Sequence, residues 1–408
     1  MRVPLLDISE QHRALAEPLR AEIDEILATQ NFILGPKVEA FEAAIAHYCS
    51  AKHAIGVSSG TDALLAILMA MEIGPGDAVV TTAFTFFATG GCVARVGATP
   101  VFVDIDPVTY NISPAAIERF LARCKRQADG KLIDEEGRTV RAIMPVHLFG
   151  LCCEMDAIME IADRAGVPVI EDAAQAIGAE YPARSGTAQA GTMGLVGSFS
   201  FYPSKNLGAA GDAGLIVSND DALAHKIRIC RQHGMEPRYF HHFIGGNFRL
   251  DEIQAAVLNV KLPHLDGWAA ARRRVADVYR EEFTRRGLTK QVRLPAEPFR
   301  ERGLTNHHIY HQFVFGTERR EELREHLTKK QIGTAIYYPL GLHQQQCFAY
   351  LGYREGDLPE TERATRETLA LPIYPELSRE AQLYVADAIE EFFSSRPVQT
   401  PSLVASAA

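Results

Sequence analysis

Between residues 54 and 218 the chain alternates short apolar runs with amphipathic stretches. Residues 54–58, 78–82, 99–103, 142–146, 168–171, 197–201 and 214–218 are apolar along most of their length, the pattern of strands buried on both faces. Among them lie stretches with apolar residues at the i, i+3, i+4 spacing of a helix: 63–71, 113–125, 154–165 and 222–232. This alternation predicts an α/β fold whose mostly parallel seven-stranded sheet is covered by helices on both faces. Two helices precede it. Residues 18–29 put Leu19, Ile23, Ile26 and Leu27 on one face, and a second helix begins at Gly35-Pro36 with Val38, Phe41 and Ile45 on one stripe.

The texture changes near residue 263. A long charged helix is expected at 265–286, with Arg272 to Arg274 on a solvated face, followed by Pro-containing turns and a strand at 310–315. The expected division is a large domain at 1–262, a smaller α+β domain at 263–396, and a disordered tail at 397–408 that has no packing pattern. Residues 126–138 are polar and turn-rich and read as a surface insertion.

Composition narrows the functional classes. A chain of 408 residues suits two packed domains, and 47% hydrophobic with 23% charged residues excludes disordered and fibrous classes. A net charge of −9 without a basic block argues against a nucleic-acid or membrane-surface partner. No apolar run approaches the ~18 to 20 residues of a membrane span. The start, MRVPLLDISEQHRAL, lacks the basic-then-apolar order of a secretion signal, so the expected location is the cytoplasm. Seven cysteines, an odd number without CxxC spacing, suggest neither a disulfide framework nor a zinc knuckle. The pairs His241-His242 and His307-His308, with His311, lack the Cys or carboxylate partners of a usual zinc set, so no metal is expected.

Three segments carry chemistry, each at the C-terminal end of an expected parallel strand, where open α/β sheets bind ligands. In SSGTDALLAIL (58–68), glycine and a hydroxyl residue open a helix; that suits a phosphate and equally suits simple capping. In VPVIEDAAQAIGA (167–179), an apolar strand ends in Glu171 and Asp172. Packing gives no reason for a carboxylate there, and Gln175 would face the same ligand as Asp172 while Glu171 points the other way. A metal site is the alternative, but further ligands are lacking. In GSFSFYPSKNLGAAGDAGLIV (197–217), Lys205 lies among Phe199, Phe201, Tyr202 and a glycine-rich loop, a setting for a depressed pKa and Schiff-base chemistry.

Together these resemble the pyridoxal-phosphate site of fold type I aminotransferases. More closely, SSGTDAL, TTAFTFFAT, EDAAQAIGA, SFSFYPSKNLGAAGD and GGNFRLDEIQAAVL resemble the DegT/StrS family of nucleotide-sugar aminotransferases, in the family's order and over nearly the whole chain. The resemblance implies pyridoxal 5′-phosphate as cofactor, bound covalently by Lys205, which also moves the proton. It assigns Asp172 to the pyridinium nitrogen, Gln175 to the ring hydroxyl and Phe86 to the ring face. Phosphate falls to Gly60, Thr61 and Ser200, with Asn247 reaching in from the neighbouring subunit of a homodimer. Arg249, Tyr338 and His343 match positions near the sugar nucleotide. The implied reaction carries an amino group from L-glutamate to a nucleotide-linked keto-sugar. Many family members have histidine where this chain has Ile177, and no role is attached to it. A sugar dehydratase of the family would carry histidine in place of Lys205, and a regulatory protein would not need the Schiff-base lysine with its Asp172 partner.

Overall fold

The computed structural model describes residues 1–394; the tail expected at 397–408 lies outside them. The seven expected strands form: β1 (His53–Val57), β2 (Asp77–Thr82), β3 (Thr99–Val103), β4 (Thr139–Met144), β5 (Ile170–Asp172), β6 (Val196–Ser200) and β7 (Gly214–Ser218). Their order across the molecule is β3-β2-β4-β5-β6-β7-β1, with β4 and β5 joined by the parallel bridges Ile143–Val169 and Val146–Asp172. All run parallel except β7, which is antiparallel to both β6 and β1. β1, β5 and β6 therefore all point their C-terminal ends at one edge of the sheet. The short return from β6 to β7, residues 201–213, crosses that same edge and carries Lys205.

Apolar side chains bury both faces. One core lies under helices Pro36–Tyr48, Pro114–Leu121 and Met155–Ala165, the other under Gly60–Ala70, Phe87–Arg95 and Asp221–Cys230. The insertion is not irregular: Lys125–Arg126 pairs with Leu132–Ile133, and Ile133 pairs with Thr139, extending the sheet beside β4. A hairpin of Glu180–Ala183 and Gly186–Gln189 carries no alternating pattern that would announce it.

A separate core gathers Tyr279, Phe283, Phe313, Phe315, Leu369, Leu371, Val385 and Ile389 around the antiparallel pair β8 (Phe313–Gly316) and β9 (Thr368–Leu371). Val3 belongs to this core and bridges to Ile332. Helix Leu265–Arg285 serves both cores, with Leu265 and Ala269 in the first and Val275 to Phe283 in the other. Arg272 on this helix corrects the expectation of a solvated face: it is 3% exposed. Its guanidinium donates to the carbonyls of Tyr310, His311 and Ile373 at 3.2, 3.3 and 3.0 Å, tying the two cores together beside the sheet edge.

Candidate active site

The edge where β1, β5 and β6 end borders a cleft of about 540 Å³. Gly60, Thr61, Phe86, Asp172, Gln175, Ser200, Lys205 and Tyr338 line it together, although up to 278 positions separate them in sequence.

One end of the cleft is built for an anion. Ser59 caps helix Gly60–Ala70, its hydroxyl accepting from Asp62 N–H at 3.0 Å. Among the described residues the N–H groups of Gly60 and Thr61 find no acceptor, and they point from the positive end of the helix dipole. Ser200, at the end of β6, closes the cradle. A Cβ at position 60 would lie 2.7 Å from the Ser200 Cβ, so only glycine lets strand and helix approach this closely.

The other end is built for a ring bearing a basic nitrogen. Asp172 is 4% exposed; its Oδ1 accepts from Ala174 N–H at 3.2 Å and its Oδ2 from the Thr89 hydroxyl at 2.8 Å. Burial pushes the Asp172 carboxyl above its ordinary range, opposed by these donors and by Lys205 and His147. Glu171 faces away, as strand alternation requires, into a fully buried nest. It accepts from the N–H groups of Gly191, Met193 and Gly194 and from His147 Nε2 at 2.7 Å. Cys153 N–H donates to His147 Nδ1 at 3.0 Å, which places the ring proton on Nε2. This network braces the strand end from behind.

Gln175 has its amide orientation fixed. Its Oε1 accepts from Phe149 N–H at 2.7 Å, so its Nε2 turns to the Tyr338 hydroxyl at 3.1 Å and offers a donor to the cleft. Of the three neighbouring phenylalanines, Phe84 is buried against Tyr110, Phe149 and Tyr338, and Phe87 packs on Phe348. Only Phe86 of the three borders the cleft, and it is 60% exposed.

Lys205 is partly buried and borders the cleft. That burial lowers its pKa to about 8, with the nearby Asp172 opposing the fall. His311 also borders the cleft. Asn206 donates from Nδ2 to the Ile309 carbonyl at 3.0 Å, so its Oδ1 is the acceptor for His311 Nδ1 at 3.1 Å. The imidazole is thereby left with an unprotonated Nε2, and burial holds its pKa well below the usual range.

Three expected residues lie outside this cleft. His343 is the clear correction: Leu342 N–H binds the Ala83 carbonyl at 2.8 Å, and the turn this pins sends the histidine into the protein interior. There its ring meets Tyr353 and lies 3.4 Å from Glu362, with a side chain fully shielded from solvent. Asn247 is exposed, and Arg249 pairs through its backbone with Val57, its Nε buried and, among the described residues, without a hydrogen-bond partner. Neither borders the cleft of its own subunit. Thr85, Thr89, His311, Asp212 and Tyr337 were not foreseen. Thr85 and Thr89 had a legible signal, two hydroxyls four residues apart beside Phe86; His311 had none, since its spacing to Lys205 is set by the approach of the two cores.

The residues present fit pyridoxal 5′-phosphate: unpaired N–H groups for the phosphate, a buried carboxylate for the ring nitrogen, an oriented amide donor for the ring hydroxyl, and a lysine of depressed pKa. Among the described residues no group of three or more His, Cys, Asp or Glu side chains is placed to hold a metal ion.

Residues 14–390 match the model of the DegT/DnrJ/EryC1/StrS aminotransferase family. The chain is 48% identical to a pleiotropic regulatory protein of Geobacillus stearothermophilus over 96% of its own length and 99% of the relative's. It is 39% identical to dTDP-3-amino-3,4,6-trideoxy-alpha-D-glucose transaminase of Streptomyces venezuelae, over 96% of each. The crystal structure of S. venezuelae DesV in complex with a ketimine intermediate superposes with a TM-score of 0.86 at 38% identity, covering 97% of this chain and 99% of that one. The chain belongs to the DegT/DnrJ/EryC1/StrS family and is a pyridoxal-phosphate-dependent aminotransferase.

Proposed function

We propose that this enzyme moves an amino group from L-glutamate to a nucleotide-linked keto-sugar, with the amino group delivered to C3. The observation that carries the reading is Lys205, of depressed pKa, sharing one cleft with Asp172, Gln175 and the open helix start at Gly60 and Thr61. The C3 position rests on likeness to the transaminase whose product is a 3-amino sugar.

Bound in the cleft, pyridoxal phosphate supplies an electron sink for bond breaking at the amino-bearing carbon. Lys205 Nζ would hold it and, when free, would be the group to take a proton from the donor's α-carbon; a pKa of about 8 would let that nitrogen gain and lose a proton near neutral pH. Asp172 would hold a proton on the ring nitrogen and Gln175 Nε2 would donate to the ring oxygen. Phe86 would cover the ring face, and Gly60, Thr61 and Ser200 would hold the phosphate. Asn247 and Arg249, outside their own cleft, complete the site of a second subunit in a homodimer, with Arg249 suited to diphosphate oxygens. Tyr338 orients the sugar. We place the enzyme in the cytoplasm, where its seven free cysteines would stay reduced; among the described residues no helix is long and apolar enough to cross a membrane.

A regulatory role on the same fold is a second reading, favoured by the name of the 48% identical relative. One experiment separates the two. Purified protein is loaded with pyridoxal phosphate, its absorbance is followed on adding L-glutamate, and 3-keto and 4-keto sugar nucleotides are then offered with product masses read out. A spectral change with glutamate and a 3-amino sugar product are expected. Response to glutamine alone would replace the donor, a 4-amino product would overturn C3, and cofactor binding without response to any donor would favour regulation.

A further inference from the structure

Two hydroxyls stand behind the carboxylate on which this reading depends. Thr89 donates to Asp172 Oδ2 at 2.8 Å, and Thr89 Oγ1 lies 3.0 Å from Thr85 Oγ1. The single hydroxyl hydrogen of Thr89 goes to Asp172, so the hydrogen between the threonines comes from Thr85. The chain thus runs one way, from Thr85 through Thr89 to Asp172. Both threonines are buried, at 2% and 1% exposure, and Thr85 borders the cleft. Thr89 sits in the first turn of helix Phe87–Arg95, which packs on helix Gly60–Ala70. A hydroxyl that accepts one hydrogen bond donates a stronger one, and the effect grows in a low-dielectric interior.

We propose that Thr89, backed by Thr85, is a positioning residue that holds the Asp172 carboxylate charged and rotated toward the ring nitrogen of the cofactor. The proposal rests on the reading of the cleft as a pyridoxal-phosphate site. Other groups act on Asp172 from several sides: Lys205 from the return between β6 and β7, His147 from the segment after β4, Tyr338 across the cleft, and Cys92 on Thr89's own helix. Glu171, next to it on β5, is turned to the opposite face and satisfied there. Of the donors that touch the carboxylate, Ala174 N–H is backbone and the longer contact. Thr89 is the side chain whose loss is felt directly.

The test uses the full chain freed of cofactor and titrated with pyridoxamine 5′-phosphate at a series of pH values from about 5.5 to 8.5. This probe keeps the ring nitrogen and phosphate but carries an amine where Lys205 would react, so covalent attachment plays no part. Thr89→Val, nearly isosteric, should weaken binding about tenfold at neutral pH, the cost of losing a hydrogen bond to a charged group. The pH below which affinity falls should rise by about one unit, because the carboxylate then takes up its proton more readily. Thr89→Ser should recover most of both. Thr85→Val should move them in the same direction by less, and carries the test if Thr89→Val does not fold. Wild-type affinity and pH dependence in the valine variants, or a loss that is equal at every pH and not recovered by serine, would overturn the proposal. Failure of the wild type to bind the probe at all would instead remove the cofactor reading beneath it.

Discussion

Replacing Lys205 by methionine should stabilise the cofactor-free protein while abolishing transamination. The native lysine is partly buried, and its pKa falls from 10.5 to about 8 because burial disfavours its charge. That depression corresponds to roughly 3 kcal/mol carried by the folded state when the lysine is protonated, and it already includes the attraction of Asp172. The sign follows from proton binding. Below pH 8 both folded and unfolded chains hold the proton, and the folded state bears the full cost. Between about pH 8 and 10.5 the folded protein sheds the proton first, so its stability rises with pH and the cost is gone above that window. Methionine, of similar length and uncharged, never incurs it. With an unfolding entropy of about 2.1 cal/mol/K per residue over 408 residues, the gain is roughly 3 to 4 °C in melting temperature near pH 7, an upper value because the Lys205 side chain is only partly buried from solvent. The assay is a thermal melt of both apo-proteins at pH 7 and at pH 10. A methionine variant no more stable at pH 7, or one whose advantage does not shrink by pH 10, would refute the reasoning that Lys205 is held against its charge.

Other perturbations bear on binding and on folding. Gly60→Ala puts a Cβ 2.7 Å from the Ser200 Cβ, so the helix start must shift away from the strand end; pyridoxal phosphate binding should weaken by about 10-fold or more, read by equilibrium titration, and stability should fall by about 1 to 3 kcal/mol. Glu252 is 1% exposed and accepts from Gly35, Lys37 and Val38 N–H, capping helix Pro36–Tyr48 from more than two hundred residues away. Glu252→Gln turns an amide donor toward one of those donors and should cost about 2 kcal/mol, seen as a lower melting temperature with cofactor affinity unchanged. Asn206→Asp places a carboxylate on His311 Nδ1, which should raise the histidine's pKa and give the pH profile of turnover a new acidic limb. A wild-type profile would show that His311 stays neutral for reasons other than its amide partner.

The alternation of buried strand and amphipathic helix is a local property, and it determined the α/β class and the seven strands of the sheet. Asp172 and Lys205 were legible for a related reason: a carboxylate at the end of an apolar strand and a lysine among aromatic residues have no reason from packing alone to be there, whereas Gly60 suited a phosphate and simple capping alike. Strand order is not local. Nothing in residues 214–218 announces that β7 runs against its neighbours, yet that reversal brings the return carrying Lys205 over the edge where Asp172 and the helix start meet. The apolar pattern along helix Leu265–Arg285 could not show that Arg272 is buried, because its partners are carbonyls contributed by segments 38 to 101 positions away. His343 failed in the same way. A motif fixes which residue stands at a position, while the backbone hydrogen bond from Leu342 to Ala83 decides where that residue points. Side-chain chemistry is written residue by residue; direction, burial and company depend on which distant segments pack together, and those are set by the free energy of the whole chain.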